Sequence, residues 1–317
     1  MTTLVTGVGL VGTAFAQEAI KRGERLVFYD FLPRGEYLRQ RLGDADVSSV
    51  QKDIRDLPAL VETIQDHGVD TVVHTVGLIA NRVSEALFTG VQINVVGALN
   101  VLEAVRLTGV KRLVHISTFG VYDRRRCPDA PVTEDMPRGP GRAYGNTKAA
   151  QELLAETYRL EYGFELAMLR LANVYGFGHF WAGSGGEKIQ VMLEAALRSQ
   201  VAKIPEDQTM DFEYVYTKDV GRAVDLAATI PAPKDLTFNI GTAEVASFQD
   251  LVDTVQGLFP DFGVEILPGK PPAVSAGQPL DISRAKAQLG WVPEYSLERG
   301  FREYVDDLKA VMEGGPS

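Results

Sequence analysis

The sequence predicts a doubly wound, mostly parallel α/β fold with a smaller, interleaved α/β region in its C-terminal third. Three observations carry that expectation. Short β-rich apolar runs alternate with helical stretches of roughly 10–15 residues, which implies parallel strands joined by right-handed crossovers. Several of those runs end in Gly, Asp, Ser or Thr, so the polar and flexible positions gather at one edge of the sheet. The first run breaks into Gly7, Gly9 and Gly12 and then resumes as a helix. On this reading residues 1–172 plus about 211–243 form the larger unit, and 173–210 with 244–317 form the smaller one.

The N-terminal stretch from Thr3 to Ala14 sets the rest in order. Gly7, Gly9 and Gly12 give G-x-G-x-x-G after a strand, with Leu10 and Val11 inside the first helical turn. That turn leaves N–H groups unpaired at the positive end of the helix dipole, and both favour a phosphate. A dinucleotide is the expected ligand, in the manner of a Rossmann turn; the alternative is a glycine turn that only lets the helix pack closely. Gly23 closes the helix after Lys21-Arg22, and Arg25 to Asp30 reads as a second strand ending in a carboxylate. Asp30 lies roughly 20 residues past the glycines, where such a turn needs a ribose ligand. A 2′-phosphate there would meet a like charge at a cost on the order of 1–4 kcal/mol, so NAD is expected over NADP. Arg34 nearby softens that preference, and an ordinary strand-end turn is the plainer reading of Asp30.

Val47 to Asp53 reads as a short strand ending in a carboxylate, with Asp53 and Ile54 toward the adenine end of the cofactor. A helix from Leu57 to His67 closes at Gly68, and Thr71 to Val76 is an unbroken β-rich run before Gly77. Such continuity suits a parallel strand buried on both faces. Asn94 to Leu107 has helical periodicity and ends at Gly109, and Arg112 to Thr118 is the next strand. Gly7, Asp30, Asp53, Thr75, Val76, Gly77, Ser117 and Thr118 all fall at carboxyl ends of strands, where an open α/β sheet binds its ligand.

A loop from Asp123 to Arg142 precedes a long helix that opens Ala143-Tyr-Gly-Asn-Thr-Lys148 and reaches about Tyr162. Tyr144 and Lys148 are four apart and share one helix face. A phenol loses its proton near pH ~10; an ammonium one turn away and a positive nicotinamide ring would lower that value. Thr118 would hydrogen-bond the substrate oxygen while Tyr144 exchanges its proton and Lys148 supplies the charge. A solvated Tyr and Lys on an amphipathic helix is the alternative.

Composition excludes other classes. Net charge is −10 with the two signs interspersed, which argues against nucleic acid and anionic membrane as partners. Arg124-Arg-Arg126 reads as a solvated loop. No apolar run reaches the length of a membrane span, and the first strand begins within two or three residues, so a cytoplasmic protein is expected. Cys127 is the only cysteine, and His67, His74, His115 and His179 lack metal-ligand spacing, so no metal is expected.

With these residues in view the chain resembles the extended short-chain dehydrogenase/reductases, the NAD-dependent epimerase/dehydratase family. The likeness runs from about Thr3 to Phe301. It includes Asp53-Ile54, Asn94-Val-Val-Gly-Ala-Leu-Asn100, Ser117-Thr-Phe-Gly-Val-Tyr122, Tyr144 to Lys148, Arg170-Leu-Ala-Asn-Val-Tyr-Gly176, Tyr216-Thr-Lys-Asp-Val220 and Asp281-Ile-Ser-Arg-Ala-Lys286 with Leu289-Gly-Trp291. The resemblance implies Thr118, Tyr144 and Lys148 as the catalytic set, with Ser117 the adjacent hydroxyl. It places Asn94 near the cofactor or its proton relay and Leu171 to Val174 beside the nicotinamide, and it implies a homodimer through the helix that Tyr144 opens.

Departures from the family bear on the substrate. Nucleotide-sugar members read G-x-x-G-x-x-G and grip a diphosphate with an Arg in an R-D-F-type strand; here the strand reads Met210-Asp-Phe-Glu-Tyr-Val215. A second family Arg falls near Lys270-Pro-Pro272, and Phe119-Gly120 stand where 4,6-dehydratases carry Asp-Glu. An arginine fork is not replaced by Phe or Pro. The expectation is therefore an NAD-dependent oxidoreductase moving hydride between nicotinamide and the carbinol or carbonyl carbon of a small polyhydroxylated or sugar-like substrate. A nucleotide-sugar (UDP- or GDP-hexose) 4-epimerase is the alternative, and a non-catalytic dinucleotide sensor a third. Gly176 to Gly186, with Phe177, His179, Phe180 and Trp181, is either a lid or an irregular surface loop.

Overall fold

The computed structural model describes residues 1–178, 186–231, 233–272 and 277–313. Strand β1 (Thr2–Thr6) leads through the glycine turn into α1 (Leu10–Lys21), followed by β2 (Arg25–Asp30), α2 (Gly35–Leu42), β3 (Val47–Gln51), α3 (Leu57–His67) and β4 (Thr71–His74). Two short helices, α4 (Asn81–Glu85) and α5 (Leu87–Val91), and a π-helical turn over Gln92–Val96 precede α6 (Gly97–Thr108) and β5 (Arg112–Thr118). Next come α7 (Ala143–Tyr162), β6 (Glu165–Leu171), β7 (Asn173–Tyr175), α8 (Glu187–Leu197), β8 (Ala202–Pro205), β9 (Tyr214–Tyr216), α9 (Thr217–Thr229) and β10 (Thr237–Ile240). The described chain closes with α10 (Phe248–Leu258), β11 (Val264–Leu267), α11 (Ser283–Leu289) and α12 (Leu297–Glu313).

Local chemistry sets many of these boundaries. Asp56 caps α3 by accepting from the Ala59 amide at 3.0 Å, and Gly68, at φ 58°, ends the same helix in the left-handed region. Ser247 and Asp250 form a reciprocal capping box on α10. Three expectations shift: β3 ends at Gln51 rather than at Asp53, β4 ends at His74 rather than at Val76, and the polar segment after Asp30 contains α2.

Seven parallel strands pair in the order β10-β6-β5-β4-β1-β2-β3, so the order reverses between β1 and β4. A ligand crevice is expected outside the carboxyl ends of that pair. One face of the sheet is covered by α1, α9 and α11, burying Phe15, Val224, Leu289 and Trp291 against Phe28 and Phe238. On the other, α3, α6 and α7 bury Leu60, Ile64, Leu102, Val105 and Ala155. The run Leu87–Thr108 is long and apolar enough by length and composition to cross a bilayer, yet its α6 portion packs Val101, Leu102 and Val105 into this second layer.

A separate core joins α8, α10 and α12 to two small parallel sheets, β7-β9 and β8-β11, through Ile189, Met192, Leu251, Val255, Phe301 and Tyr304. Phe212, Tyr214 and Tyr216 bury in this core although they fall in the stretch assigned above to the larger unit. Leu280, Ala285, Leu289 and Trp291 go the other way, into the core of the main sheet. Asp219 explains the second exchange: its buried carboxylate accepts from the Glu294 and Tyr295 amides at 2.9 and 3.0 Å, and Trp291 Nε1 donates to its carbonyl at 2.9 Å.

Candidate active site

The turn between β1 and α1 is built for close approach. Gly7 sits at φ +100°, and a Cβ there would lie 2.5 Å from Thr75 Oγ1; a Cβ on Gly9 would meet nothing. Gly9 begins α1 with no side-chain cap and no acidic residue in the first turn, so the helix presents its N–H groups outward. Asp30 accepts from the Val8 amide at 2.6 Å and the Leu32 amide at 2.8 Å, and Arg34 stands 3.9 Å away while donating to the Val8 carbonyl at 2.8 Å. The carboxylate at the end of β2 is thus fixed directly beside the turn. Asp53 lies across the same edge, its carboxylate held below the usual range by the side chain of Arg55.

These groups open onto one cavity of about 1180 Å³, larger than the several hundred Å³ of a single small-ligand pocket. Its lining includes Gly7, Gly9, Leu10, Val11, Asp30, Asp53, Ile54, Thr75, Val76, Gly77, Ser117, Thr118, Tyr144, Lys148, Leu171 and Val174. Two expected cofactor residues are not among the lining ones. Gly12 lies behind the turn, where a Cβ would be 2.6 Å from the Gly7 carbonyl, so its part is to let α1 pack on the turn. Asn94 is fully buried in the π-turn: its side chain accepts from the Leu78 amide at 2.7 Å and donates to the Leu78 carbonyl at 2.9 Å and to Thr147 at 3.0 Å. Rather than facing the cavity, it clamps the segment after β4 to α7.

The three groups expected to act together all line the cavity. Thr118 ends β5 with its hydroxyl accepting from the Gly120 amide at 3.2 Å. Ser117, one residue earlier, turns its hydroxyl onto the buried Glu152 at 2.5 Å, where Arg170 also binds in bidentate fashion. Side chains alternate along a strand, so only one of the two hydroxyls is left for the substrate. Lys148 donates to the Ile116 carbonyl at 2.9 Å and to Gln151 at 3.1 Å, and Gln151 in turn donates to the Asn94 carbonyl at 2.7 Å. Burial pushes the Lys148 ammonium down to about 8, with Glu152 acting the other way. Burial likewise raises the Tyr144 phenol, so in the protein alone the phenol stays protonated at neutral pH. The drop expected from Lys148 does not act on it here; the positive nicotinamide remains the charge that would favour the phenolate.

Helix α7 reaches the end of β5 because Gly145 faces Gly120: a Cβ at 145 would lie 2.0 Å from the Gly120 carbonyl. The aromatic residues His179, Phe180 and Trp181 of the expected lid lie outside the described residues, while Gly178 and Gly186 on either side line the cavity. Arg124 was expected in a solvated loop. It is instead half-buried, lines the cavity, and has its pKa lowered by burial. Nothing local in a run of three arginines distinguishes it.

A parallel sheet reversing at β1 and β4, a glycine turn at that point and a Tyr-Lys helix beside β5 define a dinucleotide-dependent α/β enzyme. Comparison narrows the class: the chain belongs to the NAD dependent epimerase/dehydratase family, whose model matches residues 3–241. It is therefore an NAD-dependent enzyme of the extended short-chain dehydrogenase/reductase class. The chain is 31% identical to the putative UDP-glucose 4-epimerase of Methanocaldococcus jannaschii, over 96% of this chain and 98% of the relative. It is 30% identical to the UDP-glucose 4-epimerase of Mycolicibacterium smegmatis, again over 96% and 98%. Among solved structures, the Thermus thermophilus UDP-glucose 4-epimerase in complex with NAD superposes with a TM-score of 0.85 at 26% identity, covering 98% of this chain and 99% of the other.

Proposed function

We propose that this enzyme moves hydride between NAD and a carbinol or carbonyl carbon of a sugar-like substrate, with Tyr144, Thr118 and Lys148 as its catalytic residues. The observation that carries the reading is the single cavity joining the α1 turn to Tyr144, Thr118 and Lys148 and extending on to Met210 and Phe212. NAD, when bound, supplies the hydride acceptor. Leu10 and Val11 at the start of α1 hold the pyrophosphate, Asp30 holds a ribose, and Ile54 borders the adenine end. Thr118 orients the substrate hydroxyl and Tyr144 takes or returns its proton, while Lys148, fixed by the Ile116 carbonyl and Gln151, adds positive charge to the site. We assign NAD to residues 1–172 and about 211–243, whose Thr118 and Tyr144 also reach the substrate, and the remainder of the substrate site to 173–210 and 244–317.

A second reading, reversible hydride transfer on a nucleotide sugar, is favoured by the relatives, because UDP-sugar 4-epimerases align with this chain over almost its whole length. One screen separates the two. Incubation with NAD and free polyols, aldonates, uronates, UDP-glucose or UDP-glucuronate gives stoichiometric NADH in the first case. Retained NAD with interconverted UDP-sugars and no net NADH marks the second. Tyr144→Phe should lower turnover by about 10²–10⁴ with NAD affinity unchanged; turnover within about tenfold of wild type refutes the assignment.

A cytoplasmic homodimer completes the proposal. Leu87 and Phe88 on α5 and Leu153 and Leu160 on α7 are exposed apolar side chains on elements that pack together, and we assign the association surface to them. Light scattering of the purified chain gives the mass. The cytoplasmic location rests on the lone Cys127, which leaves no disulfide framework.

A further inference from the structure

We propose that Gln151 is a positioning residue of the reaction: its side-chain amide ties the Lys148 ammonium to the main-chain carbonyl of Asn94 and so fixes that charge at the wall of the cavity. The inference rests on the functional reading above and adds to it a residue that acts through Lys148 alone.

Gln151 lies one helical turn past Lys148 on α7, is fully buried, and is not among the residues that line the cavity. Its Oε1 accepts from the Lys148 ammonium at 3.1 Å, and its Nε2 donates to the Asn94 carbonyl at 2.7 Å. The amide fits only one way round, because the reverse would set a donor against the ammonium and an acceptor against the carbonyl. Asn94 is itself held: the Gly97 amide shares its carbonyl, and its side chain is spent on Leu78 and Thr147. Lys148 also donates to the Ile116 carbonyl at 2.9 Å, so α7, the π-helical turn and β5 meet at one ammonium.

No anion takes over this task. Among the described residues no carboxylate comes within 4.0 Å of the Lys148 ammonium. Glu152, further along α7, favours the charged lysine, but its carboxylate already holds Ser117, Arg138 and Arg170. Burial lowers the pKa of His74 on β4 and of His115 on β5 and raises that of Tyr144, so all three are neutral at pH ~7. With these neighbours neutral or already paired, the oxygens of Ile116 and Gln151 stabilise a charge that burial disfavours. Losing one of them leaves the ammonium freer to move and easier to deprotonate.

Two variants test this. Gln151→Met keeps the length of the side chain without either polar end, and Gln151→Glu keeps an acceptor for the ammonium and adds a negative charge. Turnover is followed across the neutral and alkaline range with NAD and polyols, aldonates, uronates, UDP-glucose and UDP-glucuronate. Gln151→Met should lower kcat about tenfold and move the alkaline limb of kcat, where Lys148 loses its proton, down by about one pH unit; Gln151→Glu should move it up by about as much. A change in packing alone would lower kcat at every pH and leave the limb in place. Urea unfolding reads the same proton without a substrate: the stability that wild type gains over Lys148→Met as pH rises should begin to climb about one unit lower when both proteins also carry Gln151→Met. A limb unmoved in either variant, or limbs that move the same way, would overturn the inference alone, and Gln151→Glu decides by itself should Gln151→Met not fold. Where no member of the panel turns over, a climb that starts at the wild-type pH overturns it. Lys148→Met turning over within about tenfold of wild type would overturn the functional reading and this inference with it.

Discussion

His74 and His115 form a stacked pair on adjacent strands, ring centroids 5.4 Å apart, and both feel the charge of Lys148. His74 is 1% exposed; its Nδ1 lies 2.7 Å from Thr6 Oγ1, and its Nε2 has no partner among the described residues. Burial, and then the charge of Lys148, lower its pKa from 6.5 to about 3. In the unfolded chain the same imidazole titrates near ~6.5, so between the two values the unfolded state holds more protons and folding loses stability as pH falls. The stabilisation is complete above about pH 6.5 and declines toward pH 3. At pH 5 the loss is roughly 1.5 pH units at 1.36 kcal/mol per unit, or about 2 kcal/mol.

His74→Asn keeps an acceptor for Thr6 and removes the titration. Urea unfolding at pH 7.5 and pH 5.0 should therefore show wild-type stability falling about 2 kcal/mol further than that of the variant. Burial raises the pKa of Glu134, Glu213 and Asp219, which opposes this trend, but all three are common to both proteins and cancel in the difference. Parallel losses in the two proteins would refute the reasoning. So would a variant that loses more than wild type.

Lys148 is 3% exposed and charged at neutral pH at a cost of about 3 kcal/mol, from a pKa lowered to about 8. Lys148→Met should accordingly unfold at higher urea at pH 7 by about 1–3 kcal/mol, since its lost hydrogen bonds offset part of the gain, and the variant should be inactive. That advantage should shrink as pH rises from 8 toward 10.5, because the wild-type lysine is then neutral when folded and its own stability climbs. Gly145→Ala forces α7 away from the Gly120 carbonyl; kcat should drop about 100-fold through misplacement of Tyr144 against Thr118, with thermal melting used to show that the fold persists.

Much of the architecture was legible because its signals are local. β2, α3, β5 and α7 begin and end where the sequence alone places them, since Gly68 and Gly163 are stops that need no tertiary partner. What escaped depends on contacts distant in sequence. α2 is polar along most of its length and gives no apolar stripe, so only its packing through Tyr37 and Leu38 marks it as a helix. Asn94 has the periodicity of any helical residue; its inward clamp on Leu78 follows from where α7 lies. Strand alternation does separate Ser117 from Thr118, and that period-two rule was the available clue that only one of the two hydroxyls turns onto Glu152. The half-buried environment of Arg124 is set by Gln278, more than 150 residues away, and no spacing rule reaches that far.

The Asp219 clamp has a consequence for how the molecule is made. Leu289 and Trp291 finish the apolar layer over α1 and α9, and the carboxylate that receives the following amides sits at the first turn of α9. During synthesis from the N-terminus, all seven strands of the main sheet leave the ribosome while that layer still lacks its last pieces. The nascent chain must wait, with greasy surface showing, until residue 291 and its neighbours emerge to seal it.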